Sequence, residues 1–369
     1  MKNTFGTVLT LTLFGESHGP CVGAVLDGLA PGLPVDEASI ARRLARRRPS
    51  GPDATARQEP DAFQLLSGVF NGKTTGTPLC IAIPNTDTHS ADYAYGLARP
   101  AHADYAAHAK YHGHEDFRGG GHFSGRLTAP LVAAGAILLD ALAARGIRIG
   151  THLLRCGGVS DRPFAATPDA LAEDLRELDS AFFPALDSAQ ADLMREKILA
   201  ARAALDSVGG VTQTAIAGLP PGLGEPWFDS LEGILAHALY SLGGVKGVEF
   251  GLGFALADLR GSEANDAFRT DGRTVATSTN HNGGINGGIA NGMPLLFQCA
   301  VKPTPSIARE QQTVDFVSMR NAPIAIHGRH DPAIVRRIPP AIDALAALVV
   351  ADQLALRYGT DALACGFPR

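Results

Sequence analysis

The sequence predicts an α+β protein, because strand-like and helix-like segments follow one another in mixed order without a regular β-α-β repeat. A hydrophobic share of 45% over 369 residues is enough for a sizeable core. The 42 glycines and 24 prolines show no triplet period and indicate many turns. No charged or Ser/Gly-rich linker divides the chain, so we expect a single domain over residues 1–369.

The first predicted elements are two paired strands and a helix. Residues 7–14 alternate threonine with apolar side chains, which is typical of a half-buried strand. Residues 22–26 can pair with this strand across the turn at 15–19. Residues 36–47 have acidic side chains at their beginning and arginines at their end, the charge order that stabilises a helix.

Two more strands and two long helices follow. Residues 63–69 and 79–83 are predicted strands, separated by a glycine-rich turn. The intervening segment 68–74 has three residues between its glycines where a phosphate-binding P-loop has four, so we expect a hairpin turn there. Residues 128–145 and 342–357 are the clearest helices. The first is apolar around much of its circumference and is expected to be buried.

Charge and leader signals exclude several classes of protein. The net charge of −5, from 32 basic and 37 acidic residues, excludes a general nucleic-acid binder. The start of the sequence has no signal-peptide pattern, and the apolar stretch 130–142 is too short to cross a membrane. The five cysteines are far apart, as in proteins of a reducing compartment. We therefore expect a soluble, cytoplasmic protein without nucleic-acid or membrane partners.

Arginines cluster at the end of the first predicted helix. Five of them lie within seven residues, directly before Pro49: Arg42, Arg43, Arg46, Arg47 and Arg48. One interpretation is a solvated helix end. The other is a phosphate site, since guanidinium groups bind phosphate oxygens in pairs. The sequence leaves both open.

Histidines and glycines are concentrated between residues 99 and 124, with histidine at 102, 108, 112, 114 and 122. A zinc site, surface histidines and acid–base chemistry near neutral pH are the three interpretations. The zinc spacing is poor and no cysteine lies nearby. The glycine run 119–121 allows backbone amides to approach an anion or a flat ring. Further loops of this kind lie at 15–19, 280–288, 302–306 and 328–332, and each alone is weak evidence.

In this order the motifs resemble the chorismate synthase family over essentially the whole chain. The matching segments are 14–20 (FGESHGP), 46–49 (RRRP), 99–105 (RPAHADY), 118–121 (RGGG), 302–306 (KPTPS) and 328–332 (GRHDP). Six motifs in the same order make this resemblance very specific.

The resemblance implies a lyase of the shikimate pathway, and so of aromatic amino acid biosynthesis. Its substrate would be 5-enolpyruvylshikimate 3-phosphate, which loses phosphate and a C6 hydrogen in a 1,4-anti elimination to give chorismate. The resemblance also implies reduced FMN without net redox change, helices sandwiched between antiparallel β-sheets, and a homotetramer. It leaves open whether NADPH or an external reductant reduces the flavin.

Site residues follow from the matching motifs. His18 would serve the departing phosphate as an acid, His102 would protonate or polarise the reduced flavin, and Asp331 would lie near flavin N5. Arg47 and Arg48 would contact the phosphate of the substrate or of NADP. FMN would be held by His122, Phe123, Ser124, Gly243, Gly244, Gly287, Lys302, Pro303, Thr304, Pro305, Ser306 and Arg329.

The sequence departs from the family pattern at one point of the flavin site. His122 and Phe123 stand where the family usually has Arg-Ser. Two alternatives from other functional classes stay open: a flavin-dependent oxidoreductase or flavin reductase, and a non-catalytic protein that binds a phosphorylated metabolite.

Overall fold

The computed structural model describes residues 2–49, 51, 59–87, 95–326 and 331–367. It contains two five-stranded antiparallel sheets, with strand orders β1-β2-β3-β7-β4 and β11-β16-β10-β8-β9. The two-stranded hairpins β5-β6, β12-β13, β14-β15 and β17-β18 are separate from these two sheets. The strands are β1 Thr4–Phe5, β2 Thr10–Gly15, β3 Cys21–Asp27, β4 Gln64–Ser67, β5 Val69–Phe70, β6 Lys73–Thr74, β7 Leu79–Pro84, β8 Arg148–Cys156, β9 Val159–Ser160, β10 Gly210–Ala217, β11 Val245–Phe250, β12 Phe268–Thr270, β13 Val275–Thr277, β14 Ile285–Asn286, β15 Ile289–Ala290, β16 Leu295–Val301, β17 Gln311–Asp315 and β18 Arg320–Ile324.

Helices fill the space between the sheets and flank the second one. They are α1 Glu37–Arg47, α2 Asp104–Tyr111, α3 Thr128–Ala143, α4 Pro168–Ser180, α5 Ser188–Ala203, α6 Leu231–Leu239, α7 Gly261–Ala264, α8 Pro339–Tyr358 and α9 Ala362–Cys365. Short 3₁₀ turns are formed by Arg118–Phe123, Gly125–Leu127, Trp227–Asp229, Gly253–Asp258 and Ile334–Arg336.

Helices α3 and α8 form the middle layer. Helix α3 packs on β3 and β7 of the first sheet, α8 packs on β8 and β10 of the second, and the two helices pack on each other. The two helices are in close contact at Gly135, where an added Cβ would lie 2.3 Å from the Cβ of Ala344. The sandwich of helices between antiparallel sheets is therefore confirmed, and both sheets contribute to one apolar core.

Two helical segments, Gly125–Ala143 and Pro339–Tyr358, are long and apolar enough to cross a membrane. The protein itself buries 83% and 94% of their most apolar windows. This degree of burial is typical of core helices, and it agrees with the prediction that the first long helix is buried.

The predicted helix 36–47 is confirmed, with Asp36 as its N-cap accepting from the amide of Ala38 at 2.9 Å. The hairpin predicted at 68–74 is also confirmed. Asn71 and Gly72 have φ values of 49° and 69°, which a two-residue hairpin turn requires.

The predicted strand 7–14 is wrong at its beginning, because β2 starts only at Thr10. The amides of Thr7, Val8 and Leu9 donate to the carboxylate of Asp352 in α8, at 2.8–2.9 Å. These donors are taken by a side chain, so they are not used in a strand ladder.

Candidate active site

A cavity of about 800 Å³ lies where the predicted motifs meet. Its size is within the range of small-molecule pockets. Twelve predicted site residues line it: Arg47, His102, His122, Phe123, Ser124, Gly243, Gly244, Lys302, Thr304, Pro305, Ser306 and Asp331. Segments far apart in the sequence are thus brought into one site.

The remaining predicted residues lie elsewhere. The imidazole of His18 lies just behind the cavity wall, since a Cβ on the wall residue Gly119 would come within 2.5 Å of it. Gly287 is in an exposed turn between β14 and β15. Pro303 and Gly287 are not among the described residues that line this cavity, and Arg48 lines a neighbouring one. Arg329 lies outside the described residues.

The glycine run 119–121 forms a tight turn against the end of β2. All three glycines have positive φ, at 61°, 81° and 52°, a region that glycine enters without steric cost. The amide of Ser17 donates to the carbonyl of Gly121 at 3.0 Å. This hydrogen bond fixes the segment that carries His18, whereas the approach of the glycine amides to an anion or a flat ring stays a prediction.

Asp116 lies beside this turn and is held by Arg118. The Nε and Nη2 of Arg118 each donate to the Asp116 carboxylate at 2.8 Å. These hydrogen bonds hold the pKa of Asp116 below its usual value, against an opposing effect of burial, and the charges of Arg118 and His18 add to the lowering. A carboxylate therefore stays ionised next to the predicted acid.

The loop that carries His102 is closed by an ion pair. Nε and Nη2 of Arg99 donate to Asp104 at 2.8 and 2.7 Å. Burial raises the pKa of Asp104, but the hydrogen bonds and charge of Arg99 outweigh it, so that this pKa lies below its usual value. The amide of His102 donates to the carbonyl of Arg99 at 3.1 Å.

Lys302 also holds this loop. Its Nζ donates to the carbonyl of Ala101 at 2.7 Å. Ala101 has a φ of 57°, which is uncommon for a residue with a Cβ. The ammonium group therefore stabilises a strained backbone directly before His102.

Asp61 joins two buried arginines beneath the cavity. It accepts from Arg47 Nη2 at 2.8 Å and from Arg126 Nη1. Arg126 also donates from Nε to the Asn85 side chain at 2.9 Å. Burial lowers the pKa of Arg47 to about 10, although the charge of Asp61 opposes this shift. Arg47 thus remains protonated at neutral pH.

Arg337 connects this cluster to Asp331. Its Nε donates to the carbonyl of Arg47 at 3.0 Å, and its Nη1 donates to Asp331 at 2.5 Å. Arg47, Arg126, Arg337 and Lys302 thus all line one cavity. Within the described part of the chain, no three His, Cys, Asp or Glu side chains are grouped to hold a metal ion. The arrangement suits a small anion.

Known proteins of one family resemble this chain over most of its length. The family model described as chorismate synthase matches residues 9–355. The chain belongs to the chorismate synthase family. It is 45% identical over 359 residues to the chorismate synthase of Aeropyrum pernix, covering 96% of this chain and 93% of that one. It is 44% identical over 355 residues to the chorismate synthase of Methanocella arvoryzae, covering 95% and 94%.

A crystal structure of chorismate synthase has the same fold. Its TM-score is 0.76 at 28% identity, and the match covers 96% of this chain and 94% of that chain. Chorismate synthases are carbon–oxygen lyases that act on a phosphate, so this chain is an enzyme of that class.

Chorismate synthases depend on a flavin in general, and the cavity residues fit such a group. Lys302, Thr304 and Ser306 place an ammonium and two hydroxyl donors on one wall, as the phosphate and ring carbonyls of a flavin require. Gly243 also lines the cavity, and a Cβ there would meet only open space. This wall therefore leaves room for a flat ring.

The departure from the family pattern has a structural counterpart. The Nδ1 of His122 is 2.9 Å from the carbonyl of Gly15, so this ring is bound to the end of β2. Phe123 is half exposed and packs edge-on against Tyr111, with ring centroids 6.0 Å apart. His122 thus uses a ring nitrogen to support the segment that carries His18.

Sequence reasoning missed Asp61, Arg126 and Arg337. Asp61 and Arg337 lie in segments that matched none of the motifs, and Arg126 followed a departure from the family pattern. A possible signal was the position of Arg126, four residues after the unusual His122 and directly before a buried helix.

Proposed function

We propose that this chain converts 5-enolpyruvylshikimate 3-phosphate into chorismate by 1,4-anti elimination of phosphate and the C6 hydrogen, with reduced FMN and no net redox change. The observation that carries the proposal is that a single cavity brings arginines 47, 126 and 337 together with His102 and Asp331. The substrate has two carboxylates and a phosphate, so it needs several cationic partners next to groups that move protons.

The arginines would bind the anionic groups of the substrate. The described lining has six basic and five acidic side chains, and two of the acids, Asp104 and Asp116, are already bound by Arg99 and Arg118. Cationic groups are therefore in excess among the remaining side chains. Guanidinium groups bind phosphate and carboxylate oxygens bidentately. Donors that face the departing phosphate act where negative charge develops, and each contributes about 3–4 kcal/mol.

The two histidines and Asp331 would handle protons. His18 would donate to the departing phosphate, which is supported by its position against Gly119. His102 would hold a proton at the cavity wall, on the loop closed by Arg99 and Asp104. Asp331 would lie where the C6 hydrogen leaves, oriented by Arg337.

FMN would be held by His122, Phe123, Ser124, Gly243, Gly244, Lys302, Pro303, Thr304, Pro305 and Ser306, together with Gly287 and Arg329. Reduced FMN held by these residues would supply an electron-rich ring to the reaction. NADPH is the alternative reductant of this flavin, with Arg47 and Arg48 as its phosphate contacts.

A homotetramer is part of the same proposal. Trp227, Phe228 and Phe254 are 85%, 92% and 86% exposed, and large apolar groups exposed to this degree favour an interface. We also propose that residues 1–369 act as one domain, since both sheets share one apolar core. The proposed location is the cytoplasm, which the sparse, widely spaced cysteines favour.

Reaction stoichiometry tests the function. With oxygen excluded and FMN photoreduced, chorismate formed per reductant consumed should greatly exceed one, and the flavin should remain reduced. A ratio near one would replace the elimination with net reduction by an oxidoreductase. No chorismate, together with retained substrate binding, would identify a non-catalytic homologue. Repeating the assay with NADPH instead of photoreduction shows whether the chain reduces its own flavin.

A further inference from the structure

A second cavity, of about 810 Å³, adjoins the first. Pro49, Glu59 and Arg337 line both cavities and so form a common wall. Five arginines line the second cavity, against only two acidic residues, Glu59 and Asp179: Arg42, Arg46, Arg48, Arg336 and Arg337. In a chain of net charge −5, this is a local concentration of positive charge.

Helix α1 distributes its arginines between the two cavities. Arg42 and Arg46 are four residues apart and both line the second cavity, whereas Arg47 lines the first. Arg48 is the C-cap of α1 and donates to the carbonyl of Pro60 at 2.9 Å. The arginines of the RRRP motif therefore line two different cavities.

Arg42 and Arg46 have N–H groups left to bind an anion. Arg46 is 3.7 Å from Asp179, which is beyond hydrogen-bond distance, and the Asp179 side chain is 56% exposed. Arg42 donates from Nη2 to the Ser39 hydroxyl at 3.1 Å, which uses one of its five N–H groups. The guanidinium of Arg336 lies 5.1 Å from the ring centroid of Phe182, which holds it at the cavity wall.

Helix α8 adds to the positive potential. Its first residues, Pro339 and Pro340, line the second cavity, and its first turn has no acidic residue. The N-terminal end of a long helix carries a partial positive charge. Because prolines have no N–H, this end attracts an anion by its field, and the arginines supply the hydrogen bonds.

We propose that the second cavity binds a phosphate group outside the reaction cavity. The phosphate is either the one released by the elimination or the one carried by an arriving substrate, and Arg337 lies on the wall between the two positions. The source of the phosphate rests on the proposed function, whereas the binding of inorganic phosphate does not.

A tryptophan reporter tests binding in the second cavity itself. Phe182 is 63% exposed and lines this cavity, and the chain has a single tryptophan, Trp227. In the full chain carrying Phe182→Trp and Trp227→Phe, without substrate or flavin, inorganic phosphate should change the fluorescence saturably at constant ionic strength. Adding Arg42→Gln and Arg46→Gln should weaken this response about tenfold for each arginine.

Matched variants separate a bound phosphate from general screening. Arg176→Gln removes an exposed arginine of α4 and should leave the affinity within twofold. Arg42→Lys keeps the positive charge but loses the paired N–H donors of the guanidinium group. Its affinity for phosphate should therefore lie between that of the parent and that of Arg42→Gln. A response that sodium chloride reproduces, or that survives Arg42→Gln with Arg46→Gln, would overturn the proposal.

Kinetics then distinguish the two sources of phosphate. If the released phosphate occupies the cavity, added phosphate should lower kcat at saturating substrate, and Arg42→Gln with Arg46→Gln should relieve this inhibition. If the arriving substrate uses it, the same variant should lower kcat/KM and its salt dependence, with kcat unchanged. If phosphate changes the fluorescence but neither kinetic effect appears, the second cavity has no role in turnover, and the proposed source of its phosphate is overturned. A parent chain without turnover would overturn the proposed function alone.

Discussion

Arg337 donates from Nε to the main-chain carbonyl of Arg47 at 3.0 Å, which joins segments 290 positions apart. The same guanidinium holds Asp331. The end of α1 and the proposed proton-handling carboxylate are thus positioned by one side chain.

Arg337→Lys should therefore lower kcat by about 10- to 100-fold, because an ammonium group cannot direct two divergent hydrogen bonds as a planar guanidinium does. Its free energy of unfolding should change by only about 1 kcal/mol. Steady-state kinetics and urea unfolding check the two values. Arg309→Lys, at an exposed ion pair with Asp206, is the control. Equal kcat in both variants would contradict the positioning role.

Arg47→Met should destabilise the fold by about 3 kcal/mol, because it removes one of the two buried partners of Asp61. Urea unfolding measures this loss, and Arg176→Met on the surface is the control. A loss no greater than that of the control would show that Arg126 alone satisfies Asp61.

Asp343 should make stability depend on pH. It is buried in α8 and accepts from the Thr151 hydroxyl at 2.6 Å. Burial raises its pKa to about 6, from 3.8, against opposing effects that include the charge of Arg46 and the Thr151 hydrogen bond. The pKa of Asp343 is higher in the folded state than in the unfolded state, so its contribution to the free energy of unfolding is fully present below pH 3.8. This contribution is lost as the pH rises through 6, which lowers the free energy of unfolding by about 3 kcal/mol in all.

Asp343→Asn should abolish this loss, so the variant should gain stability relative to the parent between pH 4 and pH 7. Urea unfolding at several pH values measures the difference between variant and parent, which cancels the contributions of other carboxylates. Asp192→Asn, at an exposed position, should run parallel to the parent. A parallel curve for Asp343→Asn as well would disprove the raised pKa.

Lys302→Met should loosen the loop that carries His102, because the carbonyl of Ala101 loses its ammonium partner. We expect faster hydrogen exchange at the His102 amide, measured without flavin or substrate, along with lower turnover. Lys246→Met, at an exposed position nearby, should leave the exchange rate unchanged. Ala101→Gly should not destabilise the fold, since glycine adopts positive φ without strain.

His18→Ala should lower turnover by about 10²–10⁴-fold, the usual size of a lost general acid, while FMN binding stays nearly intact. His114→Ala, an exposed histidine of the same region, is the control. Turnover within a factor of two of the parent would remove His18 from the mechanism, and flavin titration shows whether the cofactor site is intact.

The sequence predicted those parts of the site that lie in contiguous motifs. The glycine run at 119–121 and the closed loop at 99–105 are determined by neighbouring residues, and the structure places both at the cavity. Asp61 was not predictable, because its importance arises only from two arginines that the fold brings to it. Arg47 and Arg48 line different cavities because of how the C-terminal end of α1 is oriented in the fold, and no local sequence pattern predicts this orientation.

Strand 7–14 shows the same limit. Its alternating pattern was correct from Thr10 onward, but the amides of residues 7–9 are bound by a carboxylate 343 to 345 positions later. No local pattern reports a partner at that distance.

The attachment of residues 7–9 to Asp352 has a consequence for biosynthesis. The ribosome synthesises residues 7–9 between 343 and 345 positions before their polar partner, Asp352. The turn before β2 therefore cannot reach its native state until α8 has been synthesised and has docked against it. Pairings of such long range fold slowly. A chain truncated before α8 should consequently expose the turn at residues 7–9 to proteases and to chaperones.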